Sequence, residues 1–212
     1  MTDIIIVGAG GFGREVAWTI DRINAASTSP LWRVIGFADD AAEKLPKTIS
    51  GHPVLGTIAE SLALYPDAAV FAALGDSAIR MTVHARLGDR EFPSLVDPAA
   101  VVAHSATVGE GVFIGPLALV STDAKICDFA VVNARAGVGH NSTVSSFATI
   151  SPGVSLSGFT VVGEGATMGT NSSTLPGVKI GAKATVAAGT PAFSDLADGK
   201  TLSPFGMFRS GV

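Results

Sequence analysis

"VVNARA GVGHNS TVSSFA TISPGV", residues 131–154, places an aliphatic residue every six positions and closes each block with a small one. Neither the 3.6-residue period of a helix nor the two-residue alternation of a strand produces that pattern. Worked outward, residues 101–190 divide without a gap into fifteen such hexads. The second position is Val, Ile, Leu or Met in fourteen of them, Thr174 being the exception, and the sixth is always Ala, Val, Ser or Thr. This predicts a parallel β-helix with one hexad per face of a triangular coil. Three hexads per coil give five coils over residues 101–190, a prism about 24 Å long at about 4.8 Å per stacked strand. The second-position aliphatics are expected to stack inside, and the small sixth positions to let the chain turn its corners.

The rest of the composition fits such a scaffold. The chain has 25 glycines and only 15% charged residues, and no carboxylate occurs from Phe129 through Gly163. Fourteen basic against 18 acidic residues give a net charge of −4, with no basic run, so a nucleic-acid partner is not expected. The single cysteine, Cys127, suits a reducing compartment. "MTDIIIVGAG" carries an acid at position 3 and reads as a buried strand rather than a signal peptide or membrane span. These features predict a cytoplasmic protein with no membrane partner.

The first half reads differently. "DIIIVG" (3–8), "WRVIGFADD" (32–40) and "DAAVFAALG" (67–75) are apolar strands. "GREVAWTIDRIN" (13–24) is an amphipathic helix with Val16, Ala17, Ile20 and Ile23 on one face and Arg14, Glu15, Asp21 and Arg22 opposite. A second helix follows Gly75, with Ile79, Val83 and Leu87 at four-residue spacing, and "FPSLVDP" (92–98) closes the unit. Strand–helix alternation implies a parallel sheet, half the size of a full dinucleotide fold.

Between the first strand and helix, "GAGGFG" matches G-x-G-x-x-G through Gly8, Gly10 and Gly13, with Gly11 extra and Phe12 inside the loop. Glycines there let backbone approach a phosphate, and the helix N-terminus supplies N–H donors. The alternative is tight strand–helix packing. Asp39 and Asp40 end the second strand, where an acid can accept bonds from a ribose or base edge; the alternative is a solvated turn. Gly75 and Asp76 end the third strand on the same edge. Three loops converging on one edge favour nucleotide binding.

A small Rossmann-like domain opening "IIIVGAGGFGREVAW", then "WRVIGFADD", then hexads containing "GVGHNSTVSSFATISPGVSLSG", resembles the left-handed β-helix acyltransferases of bacterial sugars. Within them it is most similar to the nucleotide-linked amino-sugar N-acetyltransferases and the sialic acid O-acetyltransferase relatives. The resemblance implies an α/β Rossmann-like domain over 1–98 that binds a nucleotide sugar, an all-β left-handed β-helix acyltransferase domain over 99–190, and a C-terminal tail over 191–212. It implies acetyl-CoA as co-substrate, no metal, and a homotrimer with its sites between subunits. His140 would be the general base, the Gly158 N–H an oxyanion donor, and Asn133 would line the acceptor site. Thr149, Gly158 and Thr170 would lie beside acetyl-CoA, and the 8–13 loop, Asp39, Asp40, Gly75 and Asp76 would hold the nucleotide.

The sequence departs from that pattern in places. Asn141 stands where relatives commonly carry a carboxylate beside the histidine, Thr149 and Phe12 replace histidines, and "TLSPFGMFRSGV" (201–212) lacks the usual Gly-Val-Pro-Ala ending. His104, two coils before His140, is read as a surface residue rather than a zinc ligand, because three ligands are wanting. Cys127 is not expected to carry acyl. The acceptor is expected to be an amine, with a hydroxyl, or an inactive trimeric binding protein, as alternatives.

Overall fold

The computed structural model describes residues 1–204 and the strand 206–209. Phe205 and residues 210–212 of the tail lie outside the described residues. The chain divides into two compact units, Met1–Pro98 and Ala99–Val212.

The first unit runs β1 (Thr2–Val7), α1 (Gly11–Ala26), β2 (Trp32–Ala38), β3 (Thr48–Ile49), β4 (His52–Gly56), α2 (Ile58–Leu64), β5 (Ala69–Ala72), α3 (Ser77–His84) and β6 (Leu95–Val96). Its five-stranded sheet has the order β3-β4-β2-β1-β5. The wholly parallel sheet expected above is corrected here: β4, β2, β1 and β5 run parallel, but β3 pairs antiparallel with β4. "HPVLG" carries a proline and little alternation, and it is held as a strand by pairing with β2 on one side and the short β3 on the other. Helix α2 starts at a capping box, Thr57 with Glu60, which satisfies two of the N–H groups a helix start leaves open.

Ile4, Ile5, Ile6 and Val7 of β1 are fully buried, as are Val16 and Ile20 of α1. Arg22, assigned to the polar face, in fact grips the buried Asp97 through two bonds of 2.6 and 3.0 Å. Ile79 shares a four-residue spacing with the buried Val83 and Leu87 but is itself 54% exposed.

In the second unit, sixteen two-residue strands follow one another from Val101–Val102 to Pro191–Ala192. Each of the first thirteen pairs in parallel with the strand 18 residues on, as Leu119 does with Gly137 and Lys125 with Thr143. This is the expected β-helix, and it is left-handed. Second-position residues such as Val120, Val132, Val144 and Ile150 are fully buried, each contributing about 1.5–3 kcal/mol. The corners are made differently from the sequence expectation. Sixth positions such as Ala118, Ala130 and Ala148 point into the core at 0% exposure. The chain turns at the fifth position, where every residue from Gly111 to Gly189 has φ between 55° and 76°. Nine of those fourteen residues are not glycine, Phe129, Phe147 and Phe159 among them. Side chains rarely hold that conformation, which costs about 1–2 kcal/mol each, so the stacked interior must offset it. Stacking also runs past residue 190, because Leu196 bridges Ile180 and β23 (Lys200–Ser203) pairs with Thr185–Val186.

Candidate active site

The glycine loop of the first unit separates into two kinds of glycine. A Cβ at Gly13 would lie 2.0 Å from the Gly8 carbonyl oxygen, and one at Gly8 (φ 102°) would lie 2.8 Å from that of Ala73. Those two are required by close packing. Gly10, which caps α1 without a side-chain bond, has nothing within 4 Å of a Cβ, and Gly11 has only the Arg14 guanidinium at 4.0 Å. Packing does not explain these two. They leave the N-terminus of a 16-residue helix open to an approaching anion.

Asp39 and Asp40 lie at the carboxyl end of β2, and both are engaged. Asp39 accepts from the backbone N–H of Ala9 (3.0 Å) and of Ala41 (2.9 Å), tying the glycine loop to β2. Asp40 accepts from Ile58 N–H (3.2 Å) and from Arg86 (2.9 Å), whose guanidinium holds its carboxyl below the usual range. With Gly8, Ile58, Leu74, Ile79 and Val83 they line a cavity of about 160 Å³. This explains Ile79, whose side chain serves the cavity instead of the core. A larger cavity of about 450 Å³, lined by Met1, Asp3, Arg33 and Tyr65, sits at the amino ends of β1 and β2. That is the wrong edge for a ligand of an open α/β sheet, which binds beyond the carboxyl ends.

A Cβ at Gly75 would also meet open space, whereas Asp76 caps α3 by accepting from Ile79 N–H at 2.9 Å. Arg80 falls one turn into that helix, where sequence alone assigns it no role. It is 1% exposed and donates to the Leu74 carbonyl at 2.5 Å, pinning the Gly75 loop. Burial lowers its pKa to about 10, still far above neutral, so it stays charged. Its only advance signal was an arginine five residues after that glycine.

In the second unit His140 and Asn141 form the corner after Gly137–Val138, and Gly158 stands 18 residues later at the same corner. The imidazole lies across Gly158: a Cβ there would be 2.6 Å from both Cε1 and Nε2. Nδ1 faces the Asn141 amide oxygen at 3.0 Å. That acceptor selects the tautomer with the proton on Nδ1 and leaves the Nε2 lone pair available. Asn141 itself turns the corner at φ 57°, a conformation asparagine tolerates well. Phe159 meets the ring edge-on, at 5.1 Å and 89°, a neighbour the sequence reading missed although it lies one residue past a full coil. Among the described residues no acceptor meets the Gly158 N–H. The corner therefore presents a base and an open donor side by side.

Asn133 and Thr170 occupy the preceding corner, and Thr149, 8% exposed, lies on the face leading into it. Within one chain the Gly137–Val138 face separates these three from His140. His104 shares the His140 column through Val102, Val120 and Val138 and is exposed. No group of three or more His, Cys, Asp or Glu among the described residues could hold a metal. Burial and the Asp128 charge push the Cys127 thiol up, away from the thiolate an acyl carrier needs. No described helix is long and apolar enough to cross a membrane.

Comparison with known proteins converges on one group. Residues 3–87 match the PglD N-terminal domain. UDP-N-acetylbacillosamine N-acetyltransferase of Bacillus subtilis is 32% identical over 116 residues, 54% of this chain. The chain spans about half of that relative, 51% of its length. The acetyltransferase domain of PglB from Neisseria gonorrhoeae, solved with acetyl coenzyme A, is 30% identical with a TM-score of 0.85, covering 98% of each chain. PerB from Caulobacter crescentus, solved with CoA and GDP-perosamine, is 26% identical with a TM-score of 0.88, covering 100% of this chain and 98% of that one. With both units matched, the chain belongs to the left-handed β-helix, hexapeptide-repeat sugar acetyltransferases, in the family of nucleotide-linked amino-sugar N-acetyltransferases.

Proposed function

We propose that this chain transfers acetyl from acetyl-CoA directly to the amino group of a nucleotide-linked amino sugar. The observation that carries the reading is the His140 imidazole lying across the Gly158 backbone, with Nδ1 at the Asn141 amide oxygen and the Gly158 N–H unclaimed among the described residues. His140 Nε2 takes a proton from the amine as its nitrogen attacks the thioester carbonyl. The Gly158 N–H stabilises the oxyanion that forms. Collapse expels the CoA sulfur, which recovers the proton from the imidazolium. General base catalysis contributes about 10²–10⁴ in rate, and an oxyanion donor about 10²–10³.

The first unit holds the nucleotide. Phosphates approach Gly10 and Gly11, beside Phe12, at the α1 N-terminus. The base or ribose enters the cavity below Asp39 and Asp40, against Leu74 and Ile79. The Gly75 loop, set by Arg80 and capped by Asp76, closes the same edge. A homotrimer would bring the His140 corner of one chain against the Asn133, Thr149 and Thr170 surface of the next. Val101, Leu117 and Leu119, 47–64% exposed on or beside the intervening face, suit burial in such an assembly. A reducing cytoplasm suits the lone Cys127.

Incubation with acetyl-CoA and a panel of nucleotide-linked amino sugars, read by mass spectrometry, tests the reading. A mass gain of one acetyl on an amine supports it. A gain on a hydroxyl moves the chain to the O-acetylating relatives, and acetyl-CoA binding without any product favours a binding protein.

Two variants test the parts. Gly10→Ser keeps an accepted N-cap residue, so the fold holds, but its side chain enters the phosphate space. The KM for the nucleotide sugar should rise about tenfold with the KM for acetyl-CoA unmoved, and equal rises in both would refute the assignment. Asn141→Asp puts a carboxylate beside Nδ1, which favours the imidazolium. Because the neutral ring is the base, the acid limb of kcat/KM should move to higher pH. An unmoved limb would place the titrating base elsewhere.

A further inference from the structure

The β-helix ladder breaks at one third-position residue, and that break adjoins Gly158. From Ala103 to Leu175 each third hexad residue donates its N–H to the second-position carbonyl one coil on, at 2.7–3.1 Å, except Ser157. The Ser157 N–H goes instead to the Thr174 hydroxyl at 3.1 Å, while the Ser157 hydroxyl takes the Thr174 carbonyl at 2.7 Å. Thr174 is the one second-position residue of the fifteen hexads that is not aliphatic.

The hydroxyls complete a circuit. Thr160 Oγ1 donates to the Ser157 carbonyl at 2.8 Å and lies 2.9 Å from Thr174 Oγ1. With its own proton committed there, Thr160 must accept from Thr174. Ser142 Oγ donates a second bond to the Ser157 carbonyl at 3.0 Å and accepts from the Thr160 N–H at 3.0 Å. Each of the three hydroxyls therefore donates once and accepts once. Ser142 and Thr160 are 0% exposed and Thr174 is 5% exposed. At this corner the other sixth positions are Ala106, Ala124 and Val178, so hydroxyls appear only in the coils that carry His140 and Gly158. At the neighbouring corner the buried Ser172 hydroxyl has no hydrogen-bond partner among the described residues.

The Ser157 carbonyl and the Gly158 N–H belong to one peptide group. That group is planar and trans, so its C=O and N–H point in opposite directions. Two buried hydroxyls hold the carbonyl inward, so the Gly158 N–H points outward at the corner that carries His140. Bonds to the carbonyl also polarise the peptide and strengthen its N–H as a donor.

We infer that Ser142, Thr160 and Thr174 are positioning residues that aim and polarise the Gly158 N–H for acetyl transfer; this rests on the function proposed above. Thr174→Val restores the aliphatic residue the hexad prefers and lets Ser157 return to the regular ladder bond, so the fold has little to lose. Thr174→Ser keeps the hydroxyl. In the full chain, Thr174→Val should lower kcat about tenfold, with both KM values within twofold and the acid limb of the pH profile unmoved. The Gly158 amide proton resonance should shift upfield, and Thr174→Ser should keep at least half of kcat and the wild-type resonance. Wild-type kcat in Thr174→Val with the Gly158 resonance in place would overturn the inference while leaving His140 and Gly158 in their roles. So would a loss of kcat that merely follows a lowered Tm. A wild-type chain inert toward every acceptor would instead remove the transfer reading, and this role with it.

Discussion

His140→Ala lowers kcat at least a hundredfold while the β-helix keeps its Tm within a few degrees. The stability half follows from position. His140 is exposed at a corner, its ring bonds among the described residues only to the adjacent Asn141, and Phe159 stands beside it edge-on. Removing it opens no cavity and strands no buried group, so the change stays among the small surface effects. The activity half follows from the surroundings. The residues stacked directly on His140 one coil either way, Thr122 and Gly158, carry no base that could take over the proton. The loss should fall on kcat and on kcat/KM alike, because the proton moves only in the transition state. Kinetic assays with circular dichroism on the same preparation check both halves. Activity within threefold of wild type would remove His140 from the reaction.

The hexads were legible because one residue type recurs at one spacing over 90 residues, and a buried column tolerates little else. How the corners turn was not. The left-handed fifth position is filled by Leu117, Arg135, Phe147 and Lys183 as readily as by Gly153, so composition does not betray the sign of φ. Ile79 keeps its four-residue spacing with Val83 whether it faces core or cavity, and periodicity alone could not separate the two. The role of Gly10 and Gly11 was legible only as a choice between packing and binding. The space around each glycine decides it, and space is set by the fold. Thr174 was visible as an exception but not as a partner. Ser157 and Thr160 meet it, and Ser142 joins them through Thr160, only once three coils are stacked.

Gly158→Ala should cost about a hundredfold in kcat, through geometry rather than through loss of a functional group. The N–H remains, and the backbone of residue 158 is not in the left-handed region, so alanine brings no backbone strain. What changes is the space above it. The new methyl would fall 2.6 Å from Cε1 and Nε2 of His140 and 3.1 Å from Cδ2. Carbon atoms rest about 3.5–4.0 Å apart, so the ring must swing away by about 1 Å. Because the ring is exposed it can do so at little cost to stability, leaving Asn141 and losing its alignment with the thioester. A displacement of about 1 Å is worth about 10² in rate. The double variant separates this from damage elsewhere. If the methyl acts only by moving the imidazole, Gly158→Ala made on top of His140→Ala should cost almost nothing more. Losses that multiply in the double variant would mean that Gly158 acts independently of the histidine, and the shared corner would not be one site.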